Sequence, residues 1–168
     1  MKNILFLLIL SLLGTSIRAQ DESYYFGENE KLDINIPTPS AFFGFPIGSA
    51  LVRYDKVVEY FKLLADKSDR ASYVVFGKSW ENREQIKLII SSPDNQANLE
   101  SLRKEHLRVV DPQSGGIDYT EQKVVVELAY NVHGGEIAGT DAAVLAAYYL
   151  VASQNPDILK RLQESIVL

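Results

Sequence analysis

Two side chains with metal-binding chemistry, the imidazole of His133 and the carboxylate of Glu136, are separated only by Gly134 and Gly135. They follow one apolar run, Val124 to Val132 (Val-Val-Val-Glu-Leu-Ala-Tyr-Asn-Val), and precede another, Thr140 to Ala152. Catalytic zinc is commonly bound by two His and one Glu, with the fourth position left open. The pair offers two donors of that set. Neighbouring residues on a strand point to opposite faces, so two ligands converge only if the strand ends and the chain turns. The two glycines suit such a turn, because they impose no side-chain clash and permit unusual dihedrals. A His-x-x-Glu pattern is common by chance. Its weight here comes from its place at the carboxyl end of a predicted sheet strand, where open α/β sheets carry their sites.

The elements that must position this turn can be read along the chain. Asp55 to Lys67 predicts a helix capped by Asp55, with Val57, Val58, Phe61, Leu64 and Ala65 at helical spacing. Ser72 to Lys78 and Gln85 to Ile90 predict two strands of a hairpin, turned at Asn82 within Ser79-Trp-Glu-Asn-Arg83. Ser92-Pro93 opens a second helix that runs to about Val110, with Glu100 and Lys104 paired one turn apart. Asp111 to Tyr119 is a loop. Val124 to Val132 is apolar on both faces apart from Glu127 and Asn131, which suits a central strand covered by helices on both sides. The helix after Gly139 is apolar nearly all round and should be buried, with Asp141 near its start favoured by the helix dipole. Pro156 to about Gln163 is a shorter surface helix, and Ser165 to Leu168 begins a further strand. The expected fold is α/β, a mixed open sheet with helices on both faces. The chain stops on an apolar run with no closing element, so the expectation is a domain truncated at its C-terminus.

Residues 1–19 read as a secretory signal peptide: Lys2, then an apolar stretch from Ile4 to Leu13 broken only by Ser11, then the small residue Ala19. That stretch is too short to cross a bilayer comfortably. The chain has no cysteine, hence no disulfide and no thiol to carry a lipid. The expected location is secreted or periplasmic. The net charge is −5, and loss of the leader removes Lys2 and Arg18 but no acid. An acidic mature chain argues against nucleic acid or an anionic membrane surface as main partner. Residues 20–49 form an arm with Pro37, Pro39 and Pro46, irregular and extended, whose six aromatics indicate packing onto a body. Residues 50–168 then form the body of the chain, the amino-terminal part of a larger domain.

With these motifs in place, the chain resembles the zinc carboxypeptidase family. The resemblance rests on Tyr130-Asn-Val-His-Gly-Gly-Glu136 followed by Gly139-Thr-Asp-Ala-Ala143. It is reinforced by Gly77-Lys-Ser-Trp-Glu-Asn-Arg83, by Leu88 to Ser92, and by a helix of the Asn95 to Leu107 type. The arm Ile36-Pro-Thr-Pro-Ser-Ala-Phe-Phe-Gly44 is similar to the lead-in of a bacterial exported subgroup. The resemblance implies a carboxypeptidase-like sheet, a Zn²⁺ cofactor and a peptide or protein substrate cleaved by metal-activated water. It implies that His133 and Glu136 are the first two zinc ligands. The third ligand, a His, and the catalytic Glu lie further downstream in the family, so the stretch to Leu168 alone is expected to be inactive. Many members have Arg where this chain has Gly135, which puts the preference for a terminal carboxylate in doubt.

The other candidates carry less. His106 reads as a surface residue of the second helix. By strand parity Glu127 shares a face with His133 and either orients a ligand or pairs with a Lys or Arg. Asn131 is placed to hydrogen-bond the turn, and Trp80 and Arg83 belong to the hairpin. Two rival functions stay open. One is a serine esterase, in which His-Gly-Gly supplies oxyanion-hole donors, although Glu136 replaces a third Gly and no G-x-S-x-G elbow occurs. The other is a non-catalytic binding protein on the same fold.

Overall fold

The structure is a computed structural model that describes residues 22–116 and 118–168. The predicted leader, residues 1–19, lies outside the described residues. The β1–β2 hairpin is its organising unit. Strand β1 (Ala71–Lys78) pairs antiparallel with β2 (Glu84–Ile90), from Ala71 opposite Ile90 to Lys78 opposite Glu84, with a register shift between Val75 and Gly77. The turn forms as the sequence predicts. Asn82 takes the left-handed backbone (φ 58°), Ser79 N donates to Arg83 O, and Arg83 pairs with Glu81 at 2.8 Å.

Two further strands complete a four-stranded mixed sheet of order β1-β2-β4-β3. β3 (Val124–Val126) and β4 (Ser165–Val167) run parallel, and β4 meets β2 antiparallel at Ile90 opposite Val167. This is the mixed open α/β sheet expected. One detail is corrected: β3 covers three residues rather than Val124 to Val132, and it lies at the edge of the described sheet rather than at its centre. Its ladder follows β4 only as far as the bonds Leu168 N to Val126 O and Leu128 N to Leu168 O. Strand conformation needs a partner for each backbone N–H and C=O. Among the described residues, 129–132 have no ladder, however apolar they are.

Helix α1 (Glu22–Phe26) and helix α2 (Pro39–Phe43) lie in the arm, which therefore holds short helices as well as irregular chain. Its aromatics do pack: Phe26 stacks on Tyr149 at 5.1 Å between ring centres, and Phe42 lies 5.0 Å from the Tyr60 ring. Backbone bonds Asp33 N to Ala152 O and Gln154 N to Lys31 O fasten the arm to the end of the long apolar helix. The Tyr60 hydroxyl donates to Pro37 O at 2.8 Å, and burial raises its pKa.

Helix α3 (Tyr54–Lys67) buries Val57, Tyr60 and Leu64, one stripe at helical spacing. Its N-cap is Arg53, not Asp55; the Asp55 carboxylate turns back to the Arg53 guanidinium at 3.0 Å. Ser92 caps the next helix as expected, its hydroxyl accepting from Asn95 N, but the helix breaks at Asn98 into α4 (Pro93–Ala97) and α5 (Leu99–Val110). On α5, Glu100 is gripped mainly by Arg103 at 2.8 Å, with Lys104 at 3.7 Å, and its pKa falls to about 2. Helix α6 (Ala138–Ala152) starts earlier than the sequence suggests and buries Val144, Leu145, Ala147, Tyr148, Val151 and Ala152. Helix α7 (Pro156–Glu164) leads straight into β4. The core joins α3 and α6 to Leu88 and Ile90 of β2. No helix among the described residues is long and apolar enough to cross a membrane.

Candidate functional site

Beyond Val126 the chain leaves the sheet, crosses to the start of α6, and turns sharply at residues 133–136. The Glu136 amide donates to His133 O at 2.9 Å, and Gly139 N donates to Glu136 O at 3.2 Å, so the turn runs directly into the helix. The two side chains meet on its outer side. His133 Nδ1 lies 3.2 Å from Glu136 Oε1, and the side chains are 76% and 67% exposed. The turn thus brings the two sequence-predicted donors to one point in open solvent.

That separation can be compared with what a metal requires. Two ligand atoms at ~2.0–2.1 Å from zinc, at the tetrahedral angle, lie about 3.4 Å apart. The observed 3.2 Å is within a few tenths of an ångström of that edge. One nitrogen and one carboxylate oxygen are donor types that zinc accepts. In this structure the two side chains contact each other directly, and their donor types and spacing are those zinc accepts from two ligands. Among the described residues no group of three His, Cys, Asp or Glu is placed to hold a metal.

The glycines of the motif play a different part from the one expected. Neither Gly134 nor Gly135 has a positive φ, and a Cβ on either would meet nothing within 4 Å. A side chain at 135 would project into open space. The left-handed residue of this segment is Asn131, with φ 57°. Its backbone lies against Gly139, where a Cβ would come within 2.8 Å of the Asn131 nitrogen. The hydrogen-bonding role expected of Asn131 is thus replaced by a backbone contact with Gly139. The available signal was a glycine in the first turn of an otherwise apolar helix.

The remaining candidates fall outside the pair. Glu127 forms an ion pair with Lys87 at 2.8 Å, the second of its two expected roles. His106 is half-buried, on the stripe of α5 shared with Leu99, Leu102 and Val109 rather than on its open face. Trp80 is fully exposed on the hairpin turn. A cavity of about 540 Å³ lies between the sheet and helices α3 and α6, lined by Phe61, Phe76, Leu88 and Leu150 among others. Asn131 and Thr140 reach its rim, but His133 and Glu136 do not line it. The two candidate donors therefore sit outside this cavity, on the exposed turn.

No curated protein and no solved structure matches the chain. The zinc carboxypeptidase family model matches residues 57–168, a span that takes in the hairpin, β3, the His133–Glu136 turn and α6. With two-thirds of its length matched by that model, the chain belongs to the zinc carboxypeptidase family.

Proposed function

We propose that the chain is an exported metallopeptidase of carboxypeptidase type, in which His133 and Glu136 are zinc ligands. The observation that carries this reading is the 3.2 Å approach of His133 Nδ1 to Glu136 Oε1 across a closed turn. Zinc, when bound, supplies Lewis acidity and the activation of water for peptide hydrolysis. The chain's part is to hold one nitrogen and one oxygen donor on a short tether that opens straight from a buried helix. Solvent exposure of both donors leaves room for a peptide or protein substrate to approach. Export is supported by the leader-like run of residues 1–19, and the arm from Ile36 to Gly44 supports a place in a bacterial exported subgroup.

The esterase reading is less compatible with this geometry. An oxyanion hole needs free backbone donors aimed at developing negative charge. Here the Glu136 carboxylate stands beside the imidazole, next to the glycine amides that would have to donate. A carboxylate at that point would repel an oxyanion.

Isothermal titration with zinc tests the proposal. The chain should bind one equivalent, with the modest affinity expected of two protein donors. His133→Ala and Glu136→Ala should each weaken binding by about 10-fold or more. If His133→Ala binds zinc as the parent chain does, the ligand assignment is wrong.

A further inference from the structure

The turn that carries His133 and Glu136 is braced from behind by two residues that contribute no donor. Asn131 occupies the left-handed region at φ 57°, which asparagine enters more readily than most residues and β-branched residues avoid. Gly139, in the first turn of α6, lies directly against it. A Cβ built there would stand 2.8 Å from the Asn131 nitrogen, 3.1 Å from its Cα and 3.4 Å from its Cβ. The first two contacts are with backbone, which cannot swing aside as a flexible side chain can. Gly134 and Gly135, inside the motif itself, face open space. The close approach that demands glycine is therefore at 139.

The hydrogen bonds show how this contact reaches the donors. Gly139 N bonds Glu136 O, and Glu136 N bonds His133 O, so residues 133 to 139 form one linked unit. One end of that unit is pinned where Gly139 rests on the Asn131 backbone, two residues before His133. The backbone that carries both donors lies between those two fixed points.

We propose that Asn131 and Gly139 are positioning residues, a backbone lock that holds the His133 and Glu136 donors at metal-binding separation. The proposal rests on the zinc reading above for its functional meaning, but the lock itself has a metal-free signature. If the contact is forced apart, the turn loosens and the Glu136 amide loses its protection by His133 O.

The test uses the full chain with two readouts: zinc affinity by titration, and hydrogen exchange of the Glu136 amide in metal-free protein by NMR. Gly139→Ala should weaken zinc binding by about 10-fold or more and speed Glu136 exchange by a similar factor. Asn131→Gly, which keeps the left-handed conformation accessible, should leave both within about 2-fold. Combining the two should leave most of the loss in place, since a glycine at 131 keeps the backbone nitrogen and Cα that the new Cβ meets and removes only the Cβ at 3.4 Å. Asn131→Val should reproduce the Gly139→Ala defects from the other side of the contact, and it decides the matter if Gly139→Ala fails to fold. The lock is overturned if Gly139→Ala leaves both readouts at parent values. It is equally overturned if the double variant recovers parent values, since the backbone contact would then not be what Gly139 relieves. Should the parent chain bind no zinc, the metal reading fails by itself and Glu136 exchange alone judges the lock.

Discussion

The Nδ1 atom of His133 and the Oε1 atom of Glu136 meet at 3.2 Å while three-quarters and two-thirds of the respective side chains remain exposed. An exposed pair of this kind contributes little to folding, because solvent screens it and two side chains must be ordered to form it. The metal-binding role proposed for it and any structural role are therefore separable. His133→Ala and Glu136→Gln should leave the melting temperature of metal-free protein unchanged to within about 1–2 °C, while zinc binding falls. Differential scanning fluorimetry with and without zinc reads both. A large loss of metal-free stability in either variant would mean that the pair is a structural contact instead.

Arg70 fastens the start of β1 to the end of the helix that follows the turn. Its Nη1 donates to Ser153 O at 2.6 Å and to Val151 O at 3.2 Å, both at the carboxyl end of α6. Those carbonyls have no partner within the helix, and a cation there also suits the helix dipole. Hydrogen bonds from a charged group are worth about 1.5–3 kcal/mol. Arg70→Ala should cost stability in that range by urea denaturation. Arg70→Lys should recover only part of it, because an ammonium is more strongly hydrated than a guanidinium and gives up more solvation to donate there. An Arg70→Ala variant as stable as the parent would dismiss the anchor.

Asp141 makes the pH behaviour of α6 testable. Burial raises its carboxyl pKa above the usual 3.8. A raised acid binds its proton more tightly in the folded chain than in the unfolded one, so ionisation opposes folding. The folded state is favoured below the unfolded value, and that advantage is lost as pH rises through the folded value. Asp141→Asn removes the opposition. The variant should melt higher than the parent at pH 7, and the gap should close as pH falls below about 4. Glu84 and Glu100 shift the opposite way, held down by Lys62 and Arg103, but they are common to both chains and cancel in the difference. A lower melting temperature for Asp141→Asn at pH 7 would mean that the helix dipole outweighs burial at this site.

What the sequence discloses depends on whether the deciding interaction is local. The hairpin is legible because Asn82 and the apolar runs beside it act within a few residues. The donor pair is legible by residue type, since few side chains bind zinc and two stand in one short turn. The extent of β3 is not legible: Val124 to Val132 has strand composition throughout, yet pairing ends where β4, which lies about forty residues later, ceases to supply partners. The cap of α3 is misread for a similar reason, because Asp55 finds Arg53 more accessible than the helix amides. The contact between Asn131 and Gly139 depends on how the strand exit meets the helix start, which no local pattern records.

Asn95 connects the hairpin to the strand that holds β3. It is 4% exposed, and its Nδ2 donates to Leu162 O at 3.1 Å, to Gln163 O at 3.0 Å and to Ser91 Oγ at 2.9 Å. Ser91 Oγ in turn donates to Ser165 O at 2.6 Å, the first residue of β4. The side-chain amide is thus a donor facing three acceptors. Asn95→Ala leaves Gln163 O without that bond, at a cost of about 1–3 kcal/mol. Asn95→Asp is nearly isosteric but replaces the donor with an acceptor aimed at the same oxygens, so it should cost more than alanine at neutral pH. The expected order of stability by chemical denaturation is Asn, then Ala, then Asp. Because β4 is the only strand that pairs with β3 among the described residues, the aspartate variant should also lower zinc affinity without touching either donor. An aspartate variant at least as stable as the alanine one would show that the amide does not act through its donors, and the proposed link from the hairpin to the site would fail with it.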